Sequence, residues 1–124
     1  MKAIERTVTG TLEQVEERVR KALAGNGFGV LTEIYVSEVL KEKIQVDRQP
    51  LKILGACNPH FANRALDLDP EVALMLPCNV VLSQTDSATT KVSVVNPREM
   101  MDTGKLGSLA QEAEDSLRKA VEEI

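Results

Sequence analysis

From Leu106 to the end of the chain, Leu106, Leu109, Ala110, Ala113, Leu117, Ala120, Val121 and Ile124 recur at steps of three and four. That spacing predicts a helix of about five turns with every apolar side chain on one stripe. So one-sided a helix needs a cover, and the 124 residues available are one domain's worth of material from which to build it. A second stripe, Leu12, Val15, Val19, Ala22 and Leu23, opens on Thr11 with Gln14 three residues later, a capping-box pattern, and closes at Gly25. Two long helices, each apolar on a single side, are best satisfied by one shared sheet.

The remaining segments predict that sheet. Ile4 to Val8 alternates apolar with polar side chains, Phe28 to Val36 is rich in β-branched and aromatic residues after a Gly-Asn-Gly break, and Leu51 to Cys57 is an apolar run suited to a central strand. Asn79 to Ser83 and Lys91 to Val95 flank the polar turn Asp86-Ser87-Ala88 as a hairpin with a longer loop. Ser37 is expected to cap a short helix carrying Val39, Leu40 and Ile44. Asn58-Pro59 opens another, with Phe61, Ala62, Ala65 and Leu66 as its buried side, and Asp69-Pro70-Glu71 repeats the start signal for a turn that ends before Pro77. The expected fold is α+β: a two-layer single domain over residues 1–124, with about five largely antiparallel strands and both long helices on one face. The other face lacks a helix, and it or an edge strand is expected to form a homodimer contact.

Composition narrows function mostly by exclusion. The only aromatics are Phe28, Tyr35 and Phe61, so stacking platforms for single-stranded nucleic acid are nearly ruled out, and a net charge of -4 gives a polyanion no footing. The first residues lack the apolar stretch of a secretory signal and no window approaches a membrane span, so a cytoplasmic location without membrane association is expected. A single histidine leaves no two-His zinc clamp, and no Gly-x-Ser-x-Gly, phosphate-loop or dinucleotide glycine pattern occurs. Asp67, Asp69 and Glu71 read as a cap and a solvated face rather than an acid–base pair, and Lys41-Glu42-Lys43 as a solvent-facing run.

The candidate site is Gly55-Ala56-Cys57-Asn58-Pro59-His60 together with Cys78. With Asn58 as N-cap, Cys57 lies just outside a helix start, whose amides and dipole are expected to lower a thiol pKa. His60 is in the first helical turn, Arg64 is four residues on, and Cys78 neighbours Cys57 if their strands pair. Three readings stay open: two small core residues that only pack, a metal held by both thiolates and the His60 imidazole, or thiol and disulfide chemistry on a small anion held by the helix start and Arg64.

The residues also carry a resemblance. Lys52-Ile53-Leu54-Gly55-Ala56-Cys57-Asn58-Pro59, then Ala62 and Ala65-Leu66, Asp69-Pro70-Glu71, and Leu74-Met75-Leu76-Pro77-Cys78-Asn79-Val80-Val81 resemble the signature of the domain of unknown function 302 family. The likeness runs on through Val39-Leu40-Lys41-Glu42-Lys43 and Val94-Val95-Asn96-Pro97, so it covers nearly the whole chain. It implies a compact α+β domain with a curved antiparallel sheet, related to TATA-binding-protein-like architecture and often dimeric. It brings no activity, and marks Cys57, Asn58, Pro59, Pro77 and Cys78 as the shared feature. The resulting expectation is a homodimeric module that binds a small molecule or responds to redox state at Cys57, Asn58, Pro59, His60, Arg64, Pro77 and Cys78, with no cofactor. An interaction or structural protein with both cysteines packed, or a metal-binding enzyme, are the alternatives.

Overall fold

In the computed structural model, which describes residues 2–101 and 104–124, the strands are β1 (Ile4–Thr9), β2 (Gly29–Ile34), β3 (Leu51–Cys57), β4 (Cys78–Asp86) and β5 (Thr89–Val94). The helices are α1 (Leu12–Ala24), α2 (Val36–Ile44), α3 (Pro59–Leu68), α4 (Pro97–Met101) and α5 (Gly107–Glu122), with 3₁₀ turns at Pro70–Met75 and Gly104–Leu106. The sheet order is β1-β5-β4-β3-β2 and all four pairings are antiparallel. The α+β expectation therefore holds.

Alternation along the strands decides which side chains meet the helices. Leu54 and Ala56 of β3, Val80 and Leu82 of β4, Val92 and Val94 of β5, and Ile4 and Val8 of β1 point one way and are buried with the stripes of α1 and α5. Leu117 is fully buried there, so truncating it to Ala would cost about 3 kcal/mol. Thr11 caps α1 through the expected reciprocal box with Gln14. The far end of α5 is held by Arg6, whose Nη1 donates to the carbonyls of Val121, Glu122 and Ile124 at 2.9–3.0 Å, placing a cation where the helix dipole is negative. No helix among the described residues is long and apolar enough to cross a membrane.

Local corrections have identifiable causes. Tyr35, not Ser37, precedes α2, and Ser37 lies inside that helix because its hydroxyl accepts from the Leu51 amide at 3.0 Å. β2 stops at Ile34, two residues short of Val36, since the chain there turns into α2. The β4–β5 loop is shorter than expected: Asp86 accepts from the Ala88 amide at 2.8 Å, closing the turn over Ser87 and Ala88. Leu106 belongs to a 3₁₀ turn before α5. Leu66 faces outward at 38% exposure, leaving Ala65 as the fully buried residue of α3.

Candidate functional site

The pairing of β3 with β4 brings the two cysteines to one end of the sheet. Ala56 lies opposite Cys78, so Cys57 is one residue beyond that rung, and on its other side it pairs with Gly29 of β2. Just past Cys57, Asn58 turns the chain into α3: its Oδ1 accepts from the amides of His60 (3.0 Å) and Phe61 (3.2 Å), and Pro59 fills the first helical position. Gly27, at φ +85°, lies where any Cβ would come within 2.8 Å of the Asn58 Nδ2, so the loop after α1 is fitted to this cap.

Between these parts lies a crevice with about 30 Å³ of room for water-sized guests. Phe28, Ala56, Cys57 and Cys78 line it from the sheet end, Asn58, Phe61, Ala62 and Ala65 from the start of α3, and Leu109 and Ala113 from α5. Leu76 and Met101 complete the wall. Two of the three aromatic rings are here, Phe28 and Phe61, with centroids 6.2 Å apart. Asn58 is the one lining residue with a polar side chain other than the thiols, and its oxygen is committed to the helix start.

Both cysteines are free thiols, and both pKa values are raised. Burial alone lifts Cys57. Burial first, and the charge that Cys57 would carry second, together lift Cys78 to about 11. The expected lowering by the helix start does not occur, for a reason visible in the hydrogen bonds. Pro59 has no amide hydrogen, His60 and Phe61 donate to Asn58 Oδ1, and Ala62 donates to the Asn58 carbonyl at 2.9 Å. No donor of that first turn is left for a thiolate, so desolvation decides the direction.

The other predicted residues are divided among different surroundings. His60 and Pro59 are exposed and do not line the crevice. Arg64 points away: its guanidinium pairs with Glu112 at 2.8 Å and lies 6.0 Å from the Phe61 ring centroid. Pro77, joined to Leu76 by a cis peptide bond, packs against Gly55 and belongs to a separate shallow hollow with Ala3, Asn79, Val81 and Met100. Among the described residues no three of His, Cys, Asp and Glu are grouped to hold a metal ion, so the site of two thiolates with the His60 imidazole is not assembled. The anion site with Arg64 is not assembled either. Met101 was not singled out in the sequence, although the signal was present. Asn96-Pro97 repeats the Asn58-Pro59 start, and Asn96 Oδ1 accepts from the Arg98 amide at 3.0 Å, opening the short α4 that carries Met101 into the wall.

A family model described as "Domain of unknown function DUF302" matches residues 4–124. A crystal structure of an uncharacterized conserved DUF302 protein from Bacillus stearothermophilus is similar to this chain, with a TM-score of 0.84, 31% identity and 97% of each chain covered. Comparison with curated proteins returns no match.

Proposed function

This chain belongs to the DUF302 family, and from that premise we propose that it is a binding module for a small, soft or apolar guest held in the crevice between Cys57 and Cys78. The observation that carries this reading is the crevice itself: residues from β3, β4, α3, α4 and α5 converge at the end of the sheet that holds Cys57 and Cys78 and leave space there. Protein interiors are normally packed to crystal density, so a gap walled by carbon and sulfur offers dispersion contacts to whatever enters it. Both cysteines are half-buried, and burial raises the pKa of each. With both thiols protonated at neutral pH, they serve as contacts and not as ready nucleophiles, which turns the reading away from thiolate catalysis.

The test is native-state modification at pH 9 with methyl methanethiosulfonate, a small neutral reagent, followed across low urea concentrations. A binding crevice lets the reagent reach Cys78 at a rate independent of urea. If Cys78 reacts only at a rate that climbs with global unfolding, both cysteines are packing residues and the binding reading is overturned.

A further inference from the structure

We propose that Arg64 and Glu112 form a strap between the two helical walls of the crevice that sets the size of guest it admits. The inference rests on the binding reading above and concerns the way in. Space comes first. A water needs about 10–15 Å³ of such room, so the roughly 30 Å³ present takes only a very small guest, and anything wider must part the walls. Position comes second. Arg64 follows Phe61 by about one turn and precedes Ala65 on α3, and Glu112 follows Leu109 by about one turn and precedes Ala113 on α5; those four neighbours are wall residues. The Arg64 guanidinium carbon also lies 6.0 Å from the centroid of the Phe61 ring. Connection comes third. Nη2 and Nη1 of Arg64 donate to Oε2 and Oε1 of Glu112 at 2.8 and 3.3 Å, a two-pronged contact that fixes the orientation of both partners. Among the described residues no other side-chain hydrogen bond or ion pair joins α3 to α5.

A strap must hold and also yield. The side chains of Arg64 and Glu112 are 53% and 48% exposed, and an ion pair in such a setting contributes little and is screened by salt. It therefore adds to a closed form that the apolar contacts of Ala65, Leu109 and Ala110 already favour, and its loss biases the walls toward parting without unfolding the domain. A wide guest has to break the pair to enter and a narrow one does not, so the pair discriminates by width.

The experiment compares methyl methanethiosulfonate with its bulkier benzyl counterpart on the reduced, full-length chain carrying Cys57→Ser, so that Cys78 is the reporting thiol. The ratio of the two rates cancels the thiolate fraction and leaves the effect of reagent width. Arg64→Met and Glu112→Gln should each raise the benzyl rate relative to the methyl rate by roughly two- to fivefold, and the double variant by no more than either single one, as coupled partners require. Molar NaCl should do the same to the chain with the pair intact and leave the double variant unchanged. Lys41→Gln, which removes the exposed Lys41–Asp47 pair of α2, should not move the ratio. Circular dichroism melts are used to select variants that fold as the parent does. An unchanged ratio in folded Arg64→Met, effects of the two single variants that multiply in the double, or an equal effect of Lys41→Gln overturns the proposal. If the methyl reagent reaches Cys78 in the native state and the ratio ignores both the variants and salt, the strap alone falls. If either reagent reaches Cys78 only on unfolding, the binding reading falls with it.

Discussion

Cys57 and Cys78 occupy adjacent rungs of one sheet end in different surroundings, and that difference is measurable. Alkylation by iodoacetamide follows the thiolate fraction, so each single-cysteine variant should show a rate that rises with pH through its own pKa. In the Cys78→Ser variant the Cys57 midpoint should lie above 9.0, its ordinary value here, because burial raises it. In the Cys57→Ser variant, Cys78 keeps its burial but loses its neighbour's charge, so its midpoint should stay well above 9.0 and fall short of about 11. A midpoint below 8 for either thiol would mean that the helix start acts on it after all. Gly55, one rung earlier, shows a different kind of constraint. A Cβ there would overlap Thr32 Oγ1 and stand 2.7 Å from Pro77 Cγ, so Gly55→Ala should destabilise the protein by about 2 kcal/mol, read as a lower urea midpoint, with Thr32→Ala partly relieving it.

At the scale of elements, α1 is tied to β3 and β2 by charge as well as by its apolar stripe. Lys52, 11% exposed at its side chain, donates to Glu16 of α1 at 2.9 Å and lies 3.4 Å from Glu33 of β2, and Arg20 bridges the same two carboxylates. Burial alone would raise the Glu16 pKa, but the hydrogen bonds and charges of Lys52 and Arg20 together outweigh it, and the net shift is downward from 4.5. A carboxylate with a depressed folded pKa stabilises above its unfolded value and loses that contribution as pH falls through the folded one. Lys52→Met should therefore lower stability at pH 7 by about 2 kcal/mol, and the deficit should shrink as pH drops below about 4 in urea titrations. Much of this level was legible in advance. Both helical stripes, the α1 capping box and the Asn58-Pro59 start obey local rules that need no partner. The Glu16–Lys52 tie could not be read, because it joins residues far apart in the chain and depends on strand register. For the same reason the sequence could bring Cys57 and Cys78 together only by assuming that β3 pairs with β4. It could not show that His60 and Arg64 point elsewhere, since both follow from the particular turn at which α3 leaves the sheet.

For the whole molecule the outstanding asymmetry is between the two faces of the sheet. α1 and α5 cover one, and on the other the register runs Ile34, Ile53, Val81, Ser93, Glu5 across the five strands. The row is apolar over β2, β3 and β4 and becomes polar over β5 and β1, where Lys91 pairs with Glu5. Ile34 is 52% exposed, while Ile53 and Val81 are only partly buried. A two-fold axis through such a half-apolar face would set one copy's Ile34, Ile53 and Val81 against the same residues of the other, the self-complementary arrangement that closed dimers use. If a homodimer forms on this face, Val81 would be its central contact, and replacement by Glu would bury two like charges against each other. Size-exclusion chromatography with light scattering at micromolar concentration should give a dimer for the unaltered chain and a monomer of unchanged circular dichroism for Val81→Glu. Because the crevice is walled by the start of α3 and by α5, and Ile34, Ile53 and Val81 take no part in its lining, Val81→Glu should leave methyl methanethiosulfonate access to Cys78 as it was. A monomeric parent chain would show that the apolar row is tolerated in water, and a dimer that survives Val81→Glu would place the contact on an edge strand instead.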